Sequence, residues 1–231
     1  MIPWELLGRT AAPGGQEMAL MRHSGEYVIL TDGKPLMSSR MHGSEEALAK
    51  VACQQARGLD EPCVLVGGLG MGFTLRATLD ALPPTATVVV AELVKGVVEW
   101  NQGPLGRLAG DPLEDSRTRV EVCDVATLLR ASRRRFDAVL LDIDNGPDGF
   151  TASGNSWLYG DRGLAVIRAA LTKNGTLAVW SAREDRRFEA RLRGAGFTVD
   201  VVRVRARLNR GGARHVIFVG RLQARDTRPR R

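Results

Sequence analysis

Two patterns of apolar and polar residues divide this chain of 231 residues. From residue 62 onward, short apolar runs typical of buried strands alternate with stretches that have apolar residues at helical spacing, and this order predicts a parallel sheet covered by helices. The apolar runs are CVLVGG, TVVVAE, VEVCD, FDAVLLDID and TLAVWSA. The predicted helices cover Phe73–Leu82, Val94–Gln102, Val125–Ser132, Leu158–Leu171 and Arg187–Gly194. The segments VDVVRVRARL and HVIFVG, joined by the turn NRGG, predict a final antiparallel hairpin.

The first sixty residues follow the other pattern. Glu17–Arg22 and Glu26–Thr31 alternate in polarity on either side of a turn, which predicts a small β-hairpin or meander. Ser44 precedes EEALAKVACQQAR and is the predicted N-cap of a helix that continues up to residue 58. We therefore predict a small N-terminal β subdomain at 1–43, an α/β domain at 44–220 and a basic tail without fixed structure at 221–231.

The net charge of +7 is concentrated at one end of the chain. The last eleven residues, RLQARDTRPRR, carry +4, which leaves only +3 for residues 1–220. Because no aromatic stacking platform or known nucleic-acid module accompanies the arginines, we do not expect nucleic-acid binding. No apolar run approaches the ~20 residues of a membrane span, and MIPWELLGRT lacks the features of an export signal. We expect a cytoplasmic protein that does not enter a membrane.

Cysteines and histidines provide no metal site in this sequence. Cys53, Cys63 and Cys123 lack CxxC spacing, and two of them lie within strand-like runs, so we expect reduced core residues. The histidines are scattered without ligand spacing. We therefore expect no metal.

Candidate ligand-binding residues follow three of the predicted strands. Gly68, Gly70 and Gly72 form a GxGxG turn between the first strand of the α/β region and its helix, which suits either a closely approaching ligand or any tight crossover. Glu92 ends the second strand, where an acid accepts hydrogen bonds from both ribose hydroxyls or caps the next helix. Asp124 follows the third strand and suits the adenine amino group, an N-cap role, or both.

The fourth strand ends in FDAVLLDIDNGPDGF, which carries two closely spaced carboxylates. In extended geometry Asp142 and Asp144 point to one side, beside the place expected for a cationic sulfonium. One of them suits a general base for an attacking amine and the other a partner of the substrate ammonium, whereas the alternative is a polar strand end that caps the following loop. Trp157 and Tyr159 lie after this loop and either cover the cleft or pack in the core.

The chain resembles spermidine synthases in VGGLGMG, VVVAE, CDVATLL, LLDIDNGP and WLYGDRGLAVIRAALTKNGTLAVWSA. The resemblance covers nearly the whole chain. It implies a Rossmann-like, class I methyltransferase-type α/β fold, with a central mostly parallel sheet that ends in an antiparallel hairpin and with a small N-terminal β unit. It also implies an oligomer such as a homodimer.

The resemblance implies roles for particular residues. Glu92 is expected to bind the cofactor ribose, Asp124 the adenine, and Asp142 is expected to act as the catalytic base. Asp144, Asn145 and Tyr159 are the expected substrate contacts. The chain departs from the family in its Gly-rich turn, where Met71 stands at the position of an Asp that holds the donor's amine.

The resemblance favours an aminopropyltransferase-like enzyme acting on a small-molecule amine. Its cofactor would be decarboxylated S-adenosylmethionine or S-adenosylmethionine, with methylthioadenosine as the product of aminopropyl transfer. A methyltransferase on the same fold is the first alternative, and Met71 favours it. A non-catalytic binding or assembly protein is the second alternative, since one fold serves many functions.

Overall fold

The computed structural model describes residues 3–143, 146–147, 156–206 and 213–223, which form two sheets and the helices around them. The strands are β1 (Glu5–Ala11), β2 (Glu17–His23), β3 (Glu26–Thr31), β4 (Lys34–Ser38), β5 (Cys63–Gly67), β6 (Thr87–Glu92), β7 (Thr118–Val122), β8 (Phe136–Leu141), β9 (Leu171–Ser181), β10 (Thr198–Arg205) and β11 (Arg214–Arg221). The helices are α1 (Gly43–Ala52), α2 (Phe73–Ala81), α3 (Lys95–Asn101), α4 (Val125–Ala131), α5 (Asp161–Ala170) and α6 (Arg186–Gly194). Short 3-10 helices lie at Ala56–Gly58, Gly106–Ala109 and Ser156–Tyr159.

The large sheet has seven strands in the order β10-β11-β9-β8-β5-β6-β7. Strands β5 to β9 run parallel to one another, and β11 inserts antiparallel between β9 and β10. The predicted mostly parallel sheet with a terminal antiparallel hairpin is therefore confirmed. Because the chain reverses direction between β5 and β8 at the middle of the sheet, the carboxyl ends of these strands border the crevice in which such folds bind ligands.

Side chains of the central strands alternate between two separate hydrophobic clusters. In β6, Val88 and Val90 belong to the cluster covered by α1, α2 and α3, whereas Val89 and Ala91 belong to the cluster covered by α4, α5 and α6. All four side chains are at most 2% exposed. Burial on both faces explains why these strands read as continuous apolar runs in the sequence.

The N-terminal β unit is a four-stranded antiparallel sheet with the order β1-β2-β3-β4. The sequence pattern located β2 and β3 but neither β1 nor β4, whose residues are mostly exposed and show little alternation. This sheet packs against α3, where a Cβ at Gly8 would lie 2.6 Å from the indole nitrogen of Trp100. A close approach of the two units at this point therefore depends on glycine.

Two predicted boundaries are wrong. Ser44 is not the N-cap of α1, because the helix begins at Gly43 and the N-cap residue is His42, whose side chain makes no capping bond. The helix also ends at Ala52 instead of continuing to residue 58, and a 3-10 turn follows. Predicting the N-cap from residue type failed here because the Ser44 hydroxyl bonds to side chains instead of to the backbone.

The cysteines are all free. Cys53 is buried, and burial raises the pKa of its thiol to about 12, so it stays protonated and unreactive near neutral pH. Cys63 and Cys123 are partly exposed, which differs from the fully buried positions that the sequence predicted.

Candidate active site at the carboxyl edge of the large sheet

The Gly-rich turn joins β5 to α2 and has a backbone that only glycine adopts easily. Gly68, Gly70 and Gly72 have φ angles of +91°, +52° and +84°. A Cβ at Gly68 would lie 2.3 Å from the backbone oxygen of Asp142. The turn and the end of β8 therefore touch through main-chain atoms, and this contact sets the relative position of two parts of the site.

The turn is held from below by a residue that the sequence analysis missed. The Asn101 side chain is 2% exposed, and its Nδ2 donates hydrogen bonds to the Gly70 carbonyl at 2.8 Å and to the Val97 carbonyl at 2.9 Å. On another side, Met37 of β4 lies where a Cβ at Gly70 would be, with its methyl carbon 2.9 Å away. The small sheet therefore forms one wall beside the turn.

Glu92 lies at the end of β6 with 8% exposure. Its two carboxylate oxygens accept hydrogen bonds from the backbone N–H groups of Leu69 and Val94, both at 2.9 Å. Burial raises the pKa of Glu92, and these backbone donors oppose the rise. The helix-capping role is thus present, and Glu92 also fixes the Gly-rich turn. Each oxygen retains a further acceptor position, so ribose binding stays a prediction.

Asp124 is the N-cap of α4. Its Oδ1 accepts a hydrogen bond from the Ala126 N–H at 2.8 Å, so the predicted capping role is present. At this same edge two apolar side chains are unusually exposed, Leu93 at 45% and Val122 at 52%. An apolar pair beside a carboxylate oxygen suits a flat heteroaromatic ring with an amino substituent, which is the chemistry of adenine.

Asp142 follows β8 directly. Its backbone N–H donates to the Gly67 carbonyl at 2.9 Å, and its Oδ2 accepts a 2.6 Å hydrogen bond from Thr74 Oγ1 in the first turn of α2. Burial raises the pKa of Asp142, and the Thr74 hydroxyl partly offsets the rise. A carboxylate with a raised pKa and a fixed orientation is what a general base near neutral pH requires.

Glu45 is a second carboxylate of this site, and the sequence analysis missed it. Burial, together with the charge of Asp142, raises the pKa of Glu45 to about 7. Its Oε2 accepts a 2.6 Å hydrogen bond from Ser44 Oγ, and a ring nitrogen of His215 lies 3.1 Å from the same hydroxyl. Only the raised acidity of a carboxyl in α1 points to this residue, and no spacing in the sequence announces it.

The aromatic residues after the β8 loop lie mainly in the core. Tyr159 is 3% exposed and its ring meets Phe188 edge to face at 5.7 Å, while its hydroxyl is 3.5 Å from the Ile143 carbonyl. Trp157 lies under the guanidinium of Arg130 at 4.1 Å. Core packing therefore accounts for the Tyr159 ring, and a substrate contact of its hydroxyl stays a prediction.

Two predicted substrate contacts, Asp144 and Asn145, lie outside the described residues. Met71, which stands where the family has an acid, is 2% exposed and belongs to the core. The Gly-rich turn therefore presents no carboxylate of its own to a donor amine.

Two other concavities lie away from this edge. A concavity of about 1250 Å³ at the opposite, amino edge is lined by Arg133, Arg134, Arg168 and Lys173. It includes the carboxyl ends of α5 and α6, where basic side chains are expected to offset the helix dipole. A second concavity, of about 620 Å³, lies on the small sheet and is mostly apolar. In the part of the chain that the structure describes, no helix has the length and apolarity needed to cross a membrane.

No protein-family model and no curated protein matches this sequence, whereas solved structures match nearly the whole chain. The spermidine synthase of Thermotoga maritima is 16% identical, with a TM-score of 0.72 over 94% of this chain and 72% of that one. A spermidine synthase in complex with the transition state analogue AdoDATO is also 16% identical, with a TM-score of 0.69 over 94% of this chain and 72% of that one. A probable spermidine synthase from Corynebacterium glutamicum is 14% identical, with a TM-score of 0.63 over 93% and 79% of the two chains. The chain therefore has a spermidine synthase-like, class I methyltransferase-type fold.

Proposed function

We propose that this protein is a transferase that binds decarboxylated S-adenosylmethionine at the carboxyl edge of the large sheet and transfers its aminopropyl group to a small amine. The observation that carries the proposal is the position of Asp142. Its carboxylate is held by Thr74 next to the Gly-rich turn, at the edge that also carries Glu92 and Asp124. The likeness to a spermidine synthase solved with a transition state analogue supports the same reading.

The nucleoside part of the donor fits the residues present. The positive φ angles of the Gly-rich turn keep its backbone free of side chains on the ligand side. The remaining acceptor positions of Glu92 suit the ribose hydroxyls, and Asp124 with the exposed Leu93 and Val122 suits adenine. Since these groups recognise only the adenosyl part, they serve the decarboxylated and the carboxylated sulfonium equally.

Asp142 supplies the base for the transfer. The bound sulfonium supplies a carbon that leaves sulfur as a neutral thioether when the amine nitrogen forms the new C–N bond. The amine must lose a proton to attack, and Asp142 Oδ1 or Oδ2 accepts that proton. Positioning by Thr74 and removal of the proton together account for the chemistry that the chain itself provides.

A methyltransferase that uses S-adenosylmethionine is the second candidate, because the buried Met71 removes an acid from the turn. Without that carboxylate, discrimination against the donor's own carboxylate group is weakened. A non-catalytic relative is the third reading, which differs from both because Asp142→Asn would then leave the biological role intact.

Calorimetric titration with decarboxylated S-adenosylmethionine, S-adenosylmethionine and methylthioadenosine tests the proposal. Tighter binding of the decarboxylated donor and methylthioadenosine supports aminopropyl transfer, whereas preference for S-adenosylmethionine favours the methyltransferase. Binding of none of them contradicts the proposal.

The structure selects the variants for this titration. Glu92→Ala would release two backbone donors and disturb the turn, so Glu92→Gln is the better probe of ribose binding. Asp124→Asn keeps an N-cap acceptor but turns the free oxygen into a donor facing the adenine amino group. Asp185→Asn, the same exchange at the N-cap of α6, is the matched control and should leave binding unchanged.

Release of methylthioadenosine in the presence of a panel of small amines tests the transfer. Asp142→Asn should retain donor binding and lose about 10²–10⁴-fold in turnover, because Asn keeps the Thr74 hydrogen bond but accepts no proton. Unchanged turnover in this variant would contradict the assigned base. The homo-oligomer stays a prediction that sedimentation velocity of the same samples tests.

A further inference from the structure

We infer that Glu45 is a further functional residue of this site, which shares one proton with Asp142 when the site holds no cation and releases that proton when a cationic ligand binds. The inference rests on the proposed binding of an adenosyl-sulfonium and names a residue that neither the sequence motifs nor the fold points to. It concerns the ionisation of the site, whereas the proposed function concerns its ligand and reaction.

The geometry brings two carboxylates from distant parts of the chain to one place. Helix α1 packs on α2 and on β8, so the first turn of α1 reaches the carboxyl end of β8. Ser44 Oγ donates to Glu45 at 2.6 Å, and Thr74 Oγ1 donates to Asp142 at 2.6 Å. One oxygen of each carboxyl is thus held by a neutral hydroxyl from a helix N-terminal turn, which orients both groups without neutralising them.

No basic side chain of the described residues forms an ion pair with either carboxylate. Two like charges in a desolvated place, without a counter-charge, resist joint ionisation, so the second proton leaves only at higher pH. This is the physical reason that the pKa of Glu45 rises to about 7 and that the pKa of Asp142 also rises.

The other titratable groups around the pair do not remove this effect. Glu46 adds negative charge and raises the pKa of Glu45 further, and His42 bonds to Glu46 at 2.8 Å. His215 of β11 reaches only the Ser44 hydroxyl, and burial lowers its pKa, so it is neutral near pH 7. Among the described residues facing the pair, none supplies a fixed positive charge.

A cationic ligand would supply that missing charge. With a sulfonium or an ammonium beside the pair, both carboxyls ionise and the shared proton passes to the solvent, so the charge of the pair changes from −1 to −2. Neutral methylthioadenosine occupies the same nucleoside site without a positive charge and would leave the proton in place. Cation binding by this pair should therefore weaken as the pH falls, and nucleoside binding as such should not.

Calorimetric titration in buffers of different ionisation enthalpy measures the protons released. At pH 7 the wild-type protein should release about half a proton per bound sulfonium, and more at pH 6, because Glu45 is then more fully protonated before binding. Methylthioadenosine should release none. Glu45→Gln, which keeps an acceptor for Ser44, should bind the sulfonium with almost no proton release.

The outcomes separate this inference from the proposed function. Sulfonium binding without proton release at pH 6 and 7, or equal release in Glu45→Gln, overturns the proton-sharing pair and leaves the transferase proposal standing. Absence of all nucleoside binding refutes the proposed function instead. In that case a ¹³C NMR titration of the free protein decides the pair. Glu45 should then titrate near pH 7 and shift downward in Asp142→Asn, and titration of Glu45 near its ordinary pKa of 4.5 overturns the inference.

Discussion

Replacement of Gly68 by alanine tests whether the Gly-rich turn and the end of β8 are in direct backbone contact. The φ angle of +91° disfavours any L side chain, at a cost of about 1–2 kcal/mol. The new methyl group would also lie 2.3 Å from the backbone oxygen of Asp142, and relief of that overlap requires movement of the backbone, which costs about 1–3 kcal/mol more. We expect the free energy of unfolding to fall by about 2–5 kcal/mol in total.

Gly15→Ala is the matched control for this prediction. Gly15 has a φ angle of +83°, yet a Cβ there would meet nothing within 4 Å, so only the conformational cost of about 1–2 kcal/mol applies. Urea unfolding followed by circular dichroism gives both free energies. The overlap reasoning is refuted if Gly68→Ala destabilises the protein no more than Gly15→Ala does.

Three further substitutions probe individual contacts. Thr74→Val removes the 2.6 Å hydrogen bond to Asp142, which should raise the pKa of that carboxyl and move the acid limb of a kcat/KM profile up by about one pH unit, whereas Thr74→Ser should leave it in place. The Arg117 guanidinium lowers the pKa of Asp115 from 3.8 to about 2, so the stabilisation is present above about pH 4 and is lost as the pH falls toward 2. Asp115→Asn should therefore cost about 1–2 kcal/mol in urea unfolding at pH 7 and almost nothing at pH 2, and an equal cost at both pH values would contradict the ion-pair account. Asp185 caps α6 by accepting from two backbone N–H groups, so Asp185→Ala should lower the free energy of unfolding by about 1 kcal/mol and Asp185→Asn by much less.

The sequence by itself determined the α/β order and the residues that close each strand. The strand Thr87–Glu92 was predicted with the bounds that the structure has, and α2 begins at the predicted Phe73. These elements were readable because burial on both faces requires continuous apolar strands, while covering helices require apolar residues at helical spacing. Since carboxyl ends of parallel strands share one edge, the placement of Glu92 and Asp124 at that edge followed as well.

Irregular segments were less readable. The predicted start of β9 at Thr176 is late, since the strand begins at Leu171 and pairs there with Phe136. The register shifts before Thr176 pairs with Ala138, so the polar residues between them bulge from the ladder. Polar bulge residues interrupt the apolar pattern although the strand continues, and local pattern alone places a turn there.

Only the tertiary structure decided which side chains complete the site. Thr74 holds Asp142 across 68 positions, Asn101 supports the turn from another helix, and Glu45 reaches Asp142 because α1 packs across α2 and β8. Local periodicity reports which face of an element is buried, and it carries no information about which polar groups of distant elements meet. The raised pKa of Glu45 arises from such a meeting, since desolvation and a neighbouring charge are properties of the folded surroundings and not of the residue.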